Sequence, residues 1–94
     1  MNLNYVYLFD YYGELFTDKQ KEYFKDYYFN NLTLQEIADN NGVSRNAVHK
    51  NIKEMLNKLD YYEDKLKLYS NKKKIEKLIE NIDDDIKDRI KELI

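Results

Sequence analysis

The chain has 94 residues, a formal net charge of −2, 36% charged and 43% hydrophobic residues, enough for one small domain with one modest core. It has no proline, no cysteine and only two glycines, Gly13 and Gly42, which argues against a turn-rich β architecture and excludes disulfides and thiolate metal sites. No apolar run reaches the ~20 residues of a membrane span and no signal-peptide pattern precedes Asp10, so the expectation is an all-α, cytoplasmic protein without membrane insertion.

In chain order, Tyr5, Leu8, Phe9 and Tyr12 recur at helical spacing and predict a short amphipathic helix over residues 4–12, stopped at Gly13. Leu15 and Phe16 form an apolar pair before the next helix, with Phe16 placed as a hydrophobic staple. Thr17 and Gln20 make a capping box. The helix from Asp18 to about Phe29 carries Tyr23, Phe24, Tyr27 and Tyr28 on one side. Their spacing reads as core and core rim in preference to a stacking platform for single-stranded nucleic acid.

Residues 33–59, TLQEIADNNGVSRNAVHKNIKEMLNKL, organise the rest. Thr33 and Glu36 form a second capping box, and Leu34, Ile37 and Ala38 make an apolar strip. Gly42 supplies the left-handed residue that ends a helix without a Cβ penalty. Val43 is expected to plug the corner and Ser44 to cap the following helix. Ala47, Val48, Ile52, Met55, Leu56 and Leu59 give that helix a buried face, and Ala38 sits where the two helices approach most closely. This is the pattern of a helix-turn-helix. Ser44, Arg45, Asn46, His49, Lys50 and Lys53 remain as its candidate nucleic-acid-binding residues. Arg suits guanine and Asn suits adenine by bidentate geometry, the lysines neutralise phosphates, and a helix N-terminus at Ser44 holds a phosphate.

From Val48 the positions Val48, Ile52, Met55, Leu59, Tyr62, Leu66 and Tyr69 are spaced 4, 3, 4, 3, 4, 3. This heptad-type seam predicts that the second helix continues to about Leu68 and, being longer than a three-helix core, needs a partner. Ile75, Leu78, Ile79, Ile82, Ile86, Ile90 and Leu93 form a second apolar stripe. The expected organisation is a helix-turn-helix domain over 1–68 ending in the long helix. A C-terminal amphipathic helix over 69–94 follows, packing back or forming a homodimer. The fold class is therefore all-α: a wing-free core of about four helices, extended by a long helix and a C-terminal one.

Charge is uneven along the chain. Lys65, Lys67, Lys72, Lys73, Lys74 and Lys77 make a basic middle, and Glu80, Asp83, Asp84, Asp85, Asp88 and Glu92 an acidic end. That distribution permits a local nucleic-acid face despite the negative total. Catalysis is not expected: His49 is the sole histidine, Asp83 and Asp85 sit two apart on a helix and do not face each other, and the Asp83–Asp85 run lacks the glycine and terminal glutamate of a calcium loop. No enzyme activity, cofactor or metal is predicted.

The run over residues 7–66, through FDYYGELFTDKQKEY, YY followed by LTLQEIA, GVSRNAVHKNIK and YYEDKL, resembles the bacterial YlxM family of small helix-turn-helix proteins. The helix-turn-helix core is also similar to the promoter-reading fourth region of sigma factors, departing from it at Asn51, where an apolar residue is common. The YlxM resemblance implies a regulatory role and a link to the signal recognition particle pathway through gene neighbourhood with its GTPase components. It assigns no catalytic residue. Two readings follow. One is a DNA-binding regulator acting through the six residues above. The other is an interaction module contacting the particle's RNA or its GTPases through the same face or the Lys65–Lys77 segment.

Overall fold

A 22-residue helix, Arg45–Leu66, is the axis on which the other helices are assembled. The computed structural model describes residues 3–94. In chain order the helices are α1 (Leu3–Tyr12), α2 (Asp18–Tyr28), α3 (Leu34–Asn41), α4 (Arg45–Leu66), α5 (Leu68–Leu78) and α6 (Asp84–Lys91), with a 3-10 turn over Gly13–Leu15. The described residues contain no strand. α1, α2 and α3 all pack on α4, and α5 folds back against α1 and α4. The long dimension is 53 Å.

Both capping boxes form as the sequence predicts. Thr17 accepts from the Gln20 N–H while the Gln20 side chain accepts from the Thr17 N–H, and Thr33 and Glu36 repeat the arrangement. Each satisfies two backbone donors that a helix start otherwise leaves free. Asn31, in the left-handed region with φ 56°, turns the chain between α2 and α3; its short polar side chain tolerates that conformation.

α1 and α2 bring mostly aromatic side chains to the core, and α3 and α4 bring aliphatic ones and Met55. Phe9, Phe24 and Tyr28 stack in sequence, with ring centroids 4.1 and 4.4 Å apart. Tyr12, Phe24, Ile37, Ala38, Val48, Met55 and Leu59 are almost fully buried. Tyr23, Phe24 and Tyr28 are therefore core, as their spacing implied, while Tyr27 stays 37% exposed. Phe16 is buried, but Leu15, its neighbour in the predicted apolar pair, points outward.

The heptad-type seam is used inside the chain. Val48, Ile52, Met55 and Leu59 are buried and Tyr62 is half-buried. α1 and α2 supply the partner surface that this seam needs, because α1 lies along α4 beyond the helix-turn-helix. Leu66, the next seam position, is exposed. There α4 ends, one residue before Lys67, which adopts φ 56° and ψ 28° although it is not glycine.

The segment after Leu68 forms two helices rather than the single one expected. Its apolar stripe divides accordingly. Ile79 is buried and Ile75, Ile90 and Ile94 are half-buried, whereas Leu78, Ile82, Ile86 and Leu93 are exposed. Asp83 starts α6 by accepting from the Ile86 N–H, and Asp84 and Asp85 pair with Lys87 and Arg89. The acidic run is thus a helix start whose negative charge suits the N-terminal dipole.

Candidate nucleic-acid interface

α3 and α4 are joined by a turn of the helix-turn-helix kind, and its geometry follows from a few residues. Gly42 adopts φ 65° and ψ 33°. Its N–H and that of Val43 both donate to the Ala38 carbonyl, closing α3. Asn41 donates from Nδ2 to the Ile37 carbonyl at 2.7 Å and accepts from Lys19 Nζ at 3.0 Å. That pair of bonds ties the turn to the start of α2. Ser44 Oγ accepts from the Ala47 N–H at 3.0 Å and begins α4.

Two expected core positions are not core. Val43 is 41% exposed, and Ala47 is exposed as well. With Ala38 fully buried, the helices come close enough for Ile37, Val48 and Ile52 to fill the wedge, so nothing is left for Val43 to plug. Ala47 lies a hundred degrees round α4 from Val48, off the buried stripe. Asn51, the departure from the sigma pattern, is half-buried, and its Oδ1 is buried without a protein partner.

The candidate residues Ser44, Arg45, Asn46, His49, Lys50 and Lys53 are all exposed on the first turns of α4. Among the described residues none of the basic ones is held in an ion pair. They divide into two sets. Arg45, His49 and Lys53, each four residues on from the last, form one wall of a groove. Asn46 and Lys50 project farther round the helix, away from it.

The opposite wall is built from residues that the sequence reads as core and core rim in preference to a stacking platform. It consists of Tyr27, Tyr28 and Leu34, with Asn31, Leu32 and Thr33 at one end, while Ile52 and Leu56 of α4 also line the groove. The groove comprises two concavities of about 620 and 170 Å³ that share Tyr27, Tyr28 and Leu34. No carboxylate lines either. The available signal was Tyr27, the outermost ring of the α2 aromatic face, but only the packing of α2 beside α4 puts that ring opposite Arg45 and His49.

The Lys72–Lys74 cluster is arranged differently. Lys73 Nζ lies 4.9 Å from the Tyr69 ring centroid and Lys72 Nζ 6.0 Å from that of Tyr11. Both line a third concavity, of about 480 Å³, together with Asp10 and Glu76. Here the positive charge is laid against aromatic faces and offset by carboxylates. Lys65 likewise sits beside Asp64 and over Tyr61.

Among the described residues no helix is long and apolar enough to cross a membrane. Comparison with known proteins agrees with the turn geometry. Residues 1–93 match the family model UPF0122, described as "Putative helix-turn-helix protein, YlxM / p13 like". A UPF0122 protein of Fusobacterium nucleatum is 44% identical over 88 residues, 93% of this chain and 85% of the relative. One from Oceanobacillus iheyensis is 46% identical over 76 residues, 81% of this chain and 72% of the relative. One from Malacoplasma penetrans is 57% identical over 60 residues, 64% of this chain; that match spans 56% of the relative's length.

Proposed function

Because this chain belongs to the UPF0122 family of YlxM-like helix-turn-helix proteins, we propose that it is a nucleic-acid-binding regulatory protein that reads DNA with the exposed face of α4. The observation that carries this reading is the arrangement of that face. Arg45, Asn46, His49, Lys50 and Lys53 stand free on a helix whose start is fixed by Ser44 and whose angle to α3 is fixed by Gly42 and Ala38. A helix so presented is what a major groove accepts, and Ser44 with the first N–H groups of α4 would hold a flanking phosphate.

A homodimer fits the same reading. Leu78, Ile82, Ile86 and Leu93 are all exposed in the C-terminal segment, and a second copy would bury them while presenting two α4 helices to two half-sites. Residues 1–68 would then be the reading unit and 69–94 the pairing segment, in a cytoplasmic protein.

A second reading, contact with the RNA or GTPases of the signal recognition particle, is favoured by one observation: the carboxylate-free aromatic groove beside Arg45, His49 and Lys53. Under this reading the contact lies on α4, which is supported by the Lys72 and Lys73 charges being laid on Tyr11 and Tyr69.

The test is a titration of the full chain against random duplex DNA at two salt concentrations, followed by selection of a preferred site. Regulation through DNA predicts salt-dependent binding, loss of sequence preference in Arg45→Ala, and a smaller salt slope in Lys50→Ala with preference retained. A binding profile unchanged by Arg45→Ala would rule out α4 as the reading helix.

A further inference from the structure

We infer that the groove between α2 and α4 holds an unpaired nucleotide of RNA, its base stacked on Tyr27 and its flanking phosphates held by Arg45 and Lys53. This rests on the reading that the α4 face contacts nucleic acid, and it names which part of a nucleic acid the neighbouring groove takes.

Three observations carry it. The first is charge. In a chain of net charge −2, the groove has Arg45, His49 and Lys53 along one wall and no carboxylate anywhere in its lining. The comparable concavity beside α5 offsets its lysines with Asp10 and Glu76, so the α2–α4 groove is the one suited to an anion.

The second is the aromatic wall. Tyr27 is more than a third exposed, and it meets Tyr28 edge-on, ring centroids 5.1 Å apart and planes at 81°. Tyr28 is in turn fixed by its stack on Phe24. Tyr27 is therefore supported by a rigid column while remaining accessible. Stacking on such a ring is open to any unpaired base. A base inside a duplex has both faces covered by its neighbours and cannot use it. The larger concavity, about 620 Å³, falls in the ~300–1,000 Å³ range of small-ligand sites.

The third is the hydrogen-bonding end of the groove. Asn31 and Thr33 line it. Among the described residues the Asn31 amide has no hydrogen-bond partner, and Thr33 Oγ1 accepts from Glu36 N–H, which leaves its own proton to donate. Uncharged donors and acceptors beside a stacked base are what a ribose 2′-hydroxyl requires, and that hydroxyl separates RNA from DNA.

The experiment uses the full chain and fluorescence anisotropy with four probes: an RNA hairpin with an unpaired purine loop, the same RNA with the loop fully paired, the DNA version of the hairpin, and duplex DNA. A 2-aminopurine placed in the RNA loop reports stacking. The looped RNA is expected to bind about tenfold or more tighter than the paired RNA, with quenching of the 2-aminopurine. Tyr27→Leu should remove about tenfold of that affinity and the quenching, Tyr27→Trp should restore both, and circular dichroism should show both variants folded. Equal binding of paired and looped RNA, an unaltered Tyr27→Leu, equal binding of the DNA hairpin, or displacement of the RNA by poly-glutamate at lower concentration than by unlabelled looped RNA would each overturn the inference. Binding of duplex DNA alone overturns it while leaving the DNA-regulator reading intact. Binding of none of the four probes overturns both.

Discussion

The Tyr12 hydroxyl donates to Glu63 Oε1 at 2.7 Å and accepts from the Leu68 N–H at 3.2 Å. Glu63 also accepts from the N–H groups of Tyr69 and Ser70, at 3.2 and 3.0 Å. The first three N–H groups of α5 are thus satisfied by one side chain from α1 and one from α4. Lys67 occupies the cap position and contributes no side-chain bond. The carboxylate also places negative charge at the start of α5, where the helix dipole favours it.

That joint gives the protein an alkaline limit. Burial, followed by the bond to Glu63, raises the Tyr12 pKa to about 12 from its ordinary 10.0. A group whose folded pKa is raised binds its proton more tightly in the native state, so its stabilisation is complete below pH 10 and is lost as pH rises toward 12. Tyr5, bonded to Asp60 across α1 and α4, and Tyr28, desolvated in the aromatic stack, shift in the same direction. The midpoint of thermal unfolding, followed by circular dichroism, should therefore fall between pH 10 and pH 12. Tyr12→Phe should cost about 1–3 kcal/mol at neutral pH, because it leaves the Leu68 N–H without its partner, and it should make the alkaline fall shallower.

Lys67 holds a left-handed conformation that costs a non-glycine residue roughly 1–2 kcal/mol. Lys67→Gly is expected to raise stability by about 1 kcal/mol, part of the relief being cancelled by the greater freedom of glycine in the unfolded chain. In a domain of this size that corresponds to roughly 4–8 °C in the unfolding midpoint. Lys67→Val should lower it, since a β-branched residue fits φ 56° worse than lysine does.

Gly42 tests conformation apart from space. A Cβ built there meets no atom within 4 Å, so Gly42→Ala is penalised by φ 65° alone, about 1 kcal/mol. Gly42→Asn should cost distinctly less, because asparagine tolerates the left-handed region, as Asn31 does in the preceding loop. Chemical denaturation of the two variants checks the order. An equal loss in both would mean the turn depends on something other than φ.

The exposed apolar residues of the C-terminal segment are the handle on self-association. If a second copy covers them, sedimentation velocity should show a dimer for the native chain and a monomer for Ile82→Lys with Ile86→Lys. Helicity should be unchanged, because both side chains are exposed in the single chain. A native chain that sediments as a monomer at high concentration would remove the pairing role.

Much of the fold was legible because its signals are local. Thr17 with Gln20 and Thr33 with Glu36 lie within one helical turn, Gly42 marks its own φ, and Ser44 caps the helix it precedes. Such signals depend on short-range sterics and on backbone donors that must be satisfied wherever the chain goes. The residues on the exposed face of α4 were readable for the same reason, as helical spacing separates them from Val48, Ile52, Met55 and Leu59.

Tertiary packing decided the rest. The end of α4 carries no glycine or proline, and its heptad spacing runs on through Tyr69; the helix breaks at Lys67 because Glu63 and Tyr12 cap the start of α5 from two other helices. Val43 became surface because Ala38 allowed a closer approach than a plug requires. Tyr27 became the wall of a groove because α2 lies beside α4. The sequence by itself determined α1 to α4, the starts of α2, α3 and α4 and the polar face of α4, which follow from propensity and period. Which helix would supply a cap to another, and which aromatic would stand opposite Arg45, rested on contacts between residues far apart in the chain, and those exist only once burial of the core has brought the helices together.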